Sequence, residues 1–420
     1  MRISTSTIYD SGVATMQQQT QKLLQTQQQL STGMRILTPA DDPVAAAQAL
    51  QLTQAQAINT QYATNMGTAG DSLALEDTTL GSITSLLQNV QTIAVSAGDP
   101  TLSAGDRATL ANEVLGNYQN LLGLANTTDG SGQYLFSGYR GGVRPFSESA
   151  PGTVVYNGDQ GQRLIQIGAS QQVAVSDAGS EVFQRIPTGN GSFATQAAAG
   201  NTGSGVIDGG TVLDPAKWNA AGNGKDYSIK FSVSGGSTTY DIVDNTTGKS
   251  MLTGNAAAAT GPYPDTYTSG SSINLSQAGP PAFDLGAQLS ISGTPSDGDS
   301  FTVKTAHQDV FTTLNSLATL LQTASGAALT NGLAAAQLNL TNALQNVTAV
   351  RASTGVRQNE ITAAQSAGSN LDLQYSQTLS RLQNVDYAQA ASNLSQEQLN
   401  LQAAQKSFAQ VAGLSLFSYL

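Results

Sequence analysis

Cysteine is absent from this 420-residue chain, which excludes disulfides, thiol nucleophiles and any Cys-bearing zinc site. Histidine occurs once, at His307, which rules out a histidine metal triad and leaves any Ser/His/Asp set resting on this one residue. A lone histidine at a strand-to-helix junction reads as structural. Charge is scarce as well: Asp, Glu, Lys and Arg make up 11% of the residues, far below the usual quarter, so solubility rests on Ser, Thr, Asn and Gln. The 17 basic and 28 acidic residues leave a net charge of -11, the wrong sign for a nucleic-acid partner or an anionic membrane surface. No window approaches the roughly twenty apolar residues of a membrane helix. The opening Met1-Arg2-Ile3-Ser4-Thr5 lacks the apolar h-region of a Sec-type signal peptide. The patterns H-E-x-x-H, G-x-x-x-x-G-K-[ST] and G-x-S-x-G are missing too. Asp297 and Asp299 lie in a Pro/Gly/Ser turn, where an Asp side chain caps local backbone. No catalytic residue, metal site or cofactor is therefore assigned, and the chain is expected not to be an enzyme.

What is present is concentrated at the two ends. Tyr9, Met16, Leu23, Leu30 and Leu37 fall seven apart, with Val13 and Met34 at the intervening d-type positions and Thr20 and Gln27 interrupting them. Tyr387, Leu394, Leu401 and Phe408 repeat the spacing near the other end, joined by Ala390, Ala404 and Val411. Such heptads make a narrow apolar stripe that a helix can bury only against another helix, so the ends are expected to pair. Their outer faces are unusual. Between Ser11 and Ala40 the charges are Lys22 and Arg35, and from Tyr387 onward they are Glu397 and Lys406; Gln, Ser, Thr and Asn fill the rest. A charge trapped between packed subunits costs several kcal/mol unless paired, whereas amides and hydroxyls find partners in many geometries. The pattern suits helices surrounded by copies of themselves better than a solvated two-helix stalk, because a stripe interrupted by Thr20 and Gln27 is too weakly apolar for an isolated pair.

Between the ends the chain reads as a hairpin of helices around an insertion. The first helical segment, residues 8–37, stops at Thr38-Pro39-Ala40-Asp41-Asp42-Pro43, where Asp42 and Pro43 form an N-cap followed by proline at the first helical position. The next helix carries Leu52, Met66, Leu73, Leu80 and Leu87 on one heptad position and Tyr62, Ala69, Ile83 and Val90 on the other. A third opens at Ser103 and Asp106, spaced as a capping box. From about residue 141 to 304, Gly and Pro become frequent and short alternating runs appear at 153–156, 163–167, 227–233, 239–243 and 300–304, with Ser234-Gly235-Gly236-Ser237 as a hairpin turn. Helical period then returns with Val310, Leu314, Leu317 and Leu321 and runs proline-free into the terminal heptads. The expected fold class is α+β: a long antiparallel helical bundle of paired N- and C-terminal segments with a mostly β domain inserted in the middle. The expected domains are 1–43 with 372–420, 44–140 with 305–371, and 141–304.

Three motifs resemble a known family. Leu30-Ser31-Thr32-Gly33-Met34-Arg35-Ile36 followed by Pro39-Ala40-Asp41-Asp42 resembles the N-terminal signature of the bacterial flagellin family. The segment from Asn126 through Tyr134 to Tyr139, and the tail Ser415-Leu416-Phe417-Ser418-Tyr419-Leu420, are similar to the hook–filament junction members of that family. The resemblance covers roughly residues 1–140 and 305–420. It implies an axial component of the flagellum, exported through the flagellar type III apparatus on an uncleaved N-terminal region and located outside the cell at the hook–filament junction. The partners it implies are hook-associated protein 1, flagellin, copies of the subunit and a flagellar export chaperone. The terminal helices would line an inner tube, with Tyr9, Met16, Leu23, Leu30, Leu37, Tyr387, Leu394, Leu401, Phe408, Val411, Leu416 and Phe417 as assembly residues, the longer helices would surround it, and the β domain would face outward. Two other readings stay open at this point: a flagellin filament subunit, and an enzyme displayed on an axial scaffold.

Overall fold

A computed structural model of the protein describes residues 5–413. Eight helices are present among the described residues: α1 Thr5–Thr32, α2 Pro43–Ser96, α3 Ala104–Ala125, α4 Gly179–Phe183, α5 Pro215–Trp218, α6 Val310–Thr323, α7 Gly326–Gln383 and α8 Tyr387–Gly413. The chain divides into two compact units, one of Met1–Met66, Gln166–Gln171 and Thr362–Leu420, the other of Gly67–Ile165 and Gln172–Ile361.

In the first unit α1 packs along α8. The pair is antiparallel, since Tyr9 near the start of α1 meets Phe408 near the end of α8, while Met34 bridges Asn384 at the opposite end. The helix expected over 8–37 stops at Thr32, because Gly33 takes a left-handed conformation (φ +72°) that ends the ladder. Leu37 is thus in the connection and not on the helix. The C-terminal helix is broken as well: Asn384-Val385-Asp386 separates α7 from α8, and Asp386 Oδ1 accepts from the N–H groups of Ala388 and Gln389. That Asp is a helix-start signal of the ordinary kind. Asn59 Nδ2 donates to the Gly368 carbonyl at 2.8 Å and Gln56 Nε2 to Asp372 Oδ1 at 3.0 Å, which fixes α2 and α7 as an antiparallel pair here.

The second unit holds two cores. In the helical one, Leu80, Ile83, Leu87 and Val90 of α2 meet Val114, Tyr118 and Leu121 of α3, Phe311, Leu314 and Leu321 of α6, and Leu340 and Val347 of α7. Of the heptad positions read from α2, Met66, Ala69, Leu73, Leu80, Ile83, Leu87 and Val90 are buried, while Leu52 and Tyr62 are half-buried. The capping box of α3 is formed as expected, Ser103 accepting from the Asp106 N–H and Asp106 from the Ser103 N–H. This core does not stop at residue 140. Phe146, Val154, Phe183 and Ile186 are built into it, with Phe146 5.2 Å from Phe311 and 5.3 Å from Phe183 between ring centroids.

The second core gathers Phe193, Trp218, Tyr227, Ile229, Phe231, Leu275, Leu289, Ile291, Phe301 and Val303. One antiparallel sheet around it runs Lys249–Ser250, Ser237–Asp244, Asp226–Ser234, Ser300–Lys304, Ala194–Ala197; another runs Ser272–Gln277, Phe283–Ser292, Val206–Ile207. The hairpin turn is as read from sequence: Gly235 and Gly236, at φ +62° and +81°, join Ser234 to Ser237. The ten-residue strand Phe283–Ser292 was not read from the sequence, although Leu285, Ala287, Leu289 and Ile291 alternate inward along it. The fold class is α+β, with paired terminal helices flanking a mostly β middle.

Candidate assembly surface

The α1–α8 seam is built from large side chains set against small ones. Tyr9 and Phe408 are 5.0 Å apart between centroids at 54°. The Phe408 ring lies over Gly12, where an added Cβ would stand 2.7 Å from the ring, and the Tyr387 hydroxyl lies over Gly33, 2.9 Å from such a Cβ. Met16, Leu23, Leu30, Leu394, Leu401 and Phe408 are half-buried in this pair. Tyr9 and Tyr387 stay 55% and 59% exposed, and Leu24 and Leu399 on the same helices 52% and 65%. In a seam that leaves its own aromatics half open, each side chain contributes only a fraction of the about 1.5–3 kcal/mol that its full burial supplies. Val411 belongs to α8, with its side chain outside the described residues, as are Leu416 and Phe417.

The partner positions on α1 differ from the expected d set. Val13 is half-buried, but Thr20 and Gln27 are exposed and Met34, just past the helix, is 49% exposed, whereas Gly12, Gln19, Thr26 and, past the helix, Gly33, each one residue earlier, are half-buried or, for Thr26, buried. Both choices satisfy heptad spacing, one placing the second position three residues after the first and the other four. The rings of α8 select the set with the two glycines, which lets helix backbone come close. Polar atoms are enclosed at the same level: Gln19 Oε1 and Glu397 Oε2 are buried in the subunit with no hydrogen-bond partner.

The signature segment between α1 and α2 is a local lock. The Arg35 N–H donates to the Gln383 carbonyl at 2.6 Å, its guanidinium donates to the Leu382 carbonyl at 2.9 Å and to Asp42 at 3.2 Å, and the Val385 N–H donates to the Gly33 carbonyl at 2.9 Å. Asp41 accepts from the N–H groups of Leu37 and Thr38, and Asp42 accepts from the Ala45 N–H as the N-cap of α2. Both carboxyls are held below the usual Asp value, Asp41 chiefly by the Thr38 N–H and Asp42 chiefly by the Ala45 N–H, with Arg35 adding to the latter. Gly33 and Arg35 therefore join the α1–α2 and α7–α8 connections at one place, with Asp42 holding Arg35 and Asp41 closing the α1–α2 turn. The sequence displayed these residues as a motif but gave no hint of their common partner, which lies some 350 residues away along the chain.

His307 is exposed in the two-residue strand His307–Gln308, paired with Ile186–Pro187. Among the described residues no three His, Asp or Glu stand where they could hold a metal ion, and no helix is long and apolar enough to cross a membrane.

Comparison with known proteins fits this arrangement. Residues 3–140 match the bacterial flagellin N-terminal helical region and residues 338–420 match the C-terminal helical region. The crystal structure of Xanthomonas campestris FlgL is 30% identical, with a TM-score of 0.66 over 78% of this chain and 99% of that one. This chain belongs to the flagellar hook-associated protein 3 (FlgL) family. The FlgL-type hook-associated protein-3 of Legionella pneumophila is 29% identical, with a TM-score of 0.69 over 79% of this chain and 98% of that one. Flagellar hook-associated protein 3 of Salmonella typhimurium is 39% identical over 189 residues, which is 44% of this chain and 58% of that protein, so the match spans little more than half of the curated relative.

Proposed function

We propose that this protein is the structural adaptor that joins the flagellar hook, through hook-associated protein 1, to the flagellin filament, by co-assembly of its terminal helices. The observation that carries the reading is the α1–α8 pair: heptad-spaced aromatics and leucines on an almost uncharged background are left half exposed in the single subunit, with two buried acceptors lacking donors. Such a surface gains by burial against similar helices and is costly to leave bare. Membership of the FlgL family supplies the chemistry of the neighbours, namely helices of the same type from further copies, hook-associated protein 1 and flagellin. Tyr9, Met16, Leu23, Leu30, Tyr387, Leu394, Leu401 and Phe408 form the inter-subunit seam in this reading, with Leu37 at its edge and Val411, Leu416 and Phe417 extending it.

The proposed division of labour gives 1–43 with 372–420 to the inner tube, 44–140 with 305–371 to the layer around it and 141–304 to the outer face. Phe146, Val154 and Phe183 fasten the inner end of the outer part. The subunit is exported by the flagellar apparatus with an export chaperone and works outside the cell, as structure and not as catalyst. Labelling the protein on intact flagella tests this: one spot at the hook end of each filament is the expected result. Label spread along the filament would instead make it a filament subunit.

A further inference from the structure

One carboxyl group in the second unit takes no part in either core or in assembly. Glu76 projects from α2 and is fully buried; its Oε1 accepts from the Asp177 N–H at 3.2 Å, and its Oε2 has no hydrogen-bond partner. Arg357 of α7, 9% exposed, sends its guanidinium to the Asp177 carboxylate, to the Ala174 carbonyl at 3.1 Å and to the hydroxyl of buried Thr354 at 3.3 Å. Asp177 also accepts from Gln162 Nε2 at 2.7 Å. Segment 172–178 is thereby strapped to both long helices by backbone and side-chain bonds that all pass through this cluster.

The charges facing Glu76 are Asp177 from the strap and Arg357 from α7. Asp77, next on α2, is engaged by Arg351 of α7 at 2.7 Å nearer the surface, and Glu181 of α4 pairs with Arg185. Two ionised carboxylates against one guanidinium would leave a buried negative charge with an oxygen facing no donor, which is the expensive arrangement. Burial first, and then the charge of Asp177, push Glu76 up to about 8 against the pull of Arg357. A cleft of about 330 Å³, lined by Tyr139, Gln162, Asp177, Glu181 and Val350, reaches Asp177 and gives water a route to the cluster.

We propose that Glu76 is the neutral carboxylic acid in the folded subunit and that its neutrality leaves Arg357 to Asp177 and so holds the 172–178 strap; losing the proton in alkaline solution makes two carboxylates compete for Arg357 and releases the strap from α2 and α7. A carboxyl whose folded value lies above its unfolded value favours folding fully below the unfolded value of 4.5. The folding constant then falls tenfold per pH unit until the folded value of about 8 is passed, and the advantage is gone above it.

The test is equilibrium unfolding of the full chain between about pH 5 and about pH 9, with Glu76→Gln as reference, since the amide keeps the shape and the acceptor for Asp177 but cannot ionise. The ratio of wild-type to variant folding constants should fall by about 400-fold between pH 5 and pH 8. Amide exchange in 172–178, corrected against the variant, should rise in the wild type above about pH 8. Parallel stability profiles and parallel exchange would overturn the proposal. Should the variant fail to fold, carbon NMR of the Glu76 carboxyl in the wild-type protein decides it: a titration midpoint near 8 supports the pinned acid and one near 4.5 refutes it.

Discussion

Phe408 and Leu80 are both large apolar residues on heptad positions of helices, yet they do different work. Leu80 is fully buried among α2, α3, α6 and α7, while Phe408 is half-buried over Gly12 and beside an exposed Tyr9. Truncating the first leaves a cavity in a closed core; changing the second disturbs a seam that the single subunit barely closes. Leu80→Ala should therefore cost about 2–5 kcal/mol in the main unfolding transition of the purified subunit. Phe408→Asp should leave that transition in place, because no closed core contains the residue. In cells the order should reverse for Phe408→Asp: the subunit should still be secreted, but an unpaired charge would enter the proposed inter-subunit seam at a cost of several kcal/mol, and flagellin should be shed into the medium. Normal filaments on cells carrying Phe408→Asp would show that the seam is elsewhere.

At the scale of elements, α7 does more than continue a heptad. Asn331, Asn339, Asn342 and Asn346 fall on one face of it, and their amides bond main-chain groups outside the helix. Asn339 Oδ1 accepts from the Gly189 N–H at 3.0 Å, Asn342 Nδ2 donates to the Gly189 carbonyl at 2.8 Å, and Asn331 bonds both the Ile207 N–H and the Gly205 carbonyl. Leu338 on the same helix packs where Gly209 leaves room. Replacing Asn339 and Asn342 together by Ala leaves both main-chain groups of Gly189 without these partners, and each lost bond is worth about 0.5–1.5 kcal/mol. The expected consequence is faster proteolytic cleavage near residues 188–192 with the helical core intact. Cleavage unchanged at that loop would mean that the row is ornamental. The helix starts, by contrast, were legible from single residues. Asp42-Pro43 and Ser103 with Asp106 act locally, and a local bond can be read from spacing. The break at Asn384-Val385-Asp386 was missed although Asp386 is a local cap, because the heptads on either side run on through it; the choice of Gly12 and Gly33 for the seam and the place of Phe146 and Phe183 in the helical core were not legible, because each is decided by a side chain more than a hundred residues away or by the competition between two patterns of equal period.

For the whole molecule, the question is how far the outer part can be removed without touching the axial one. Cutting out residues 142–299, just inside the composition boundaries near 141 and 304, would strip Phe146, Val154, Phe183 and Ile186 from the helical core, each a loss of about 2–5 kcal/mol by analogy with large-to-small core changes, and the remainder should not fold. The second core offers a cleaner division. Its first and last strands, Ala194–Ala197 and Ser300–Lys304, are antiparallel neighbours with Ala194 opposite Lys304, and the Thr305 hydroxyl donates to the Ser192 carbonyl at 3.2 Å. Chain ends this close can be joined by a short Gly/Ser bridge at little entropic cost. Removing residues 193–304 takes away a core with its own side chains and leaves the Gly189 clasp on α7 in place. That deletion should fold, as judged by a cooperative melt of the helical remainder, should be exported, and should let cells keep their filaments, because the terminal helices carry the axial contacts in the proposed adaptor. If the shortened subunit folds and is secreted yet filaments detach, the outer β part makes an essential contact at the junction, and the assignment of joining to the helices alone is wrong.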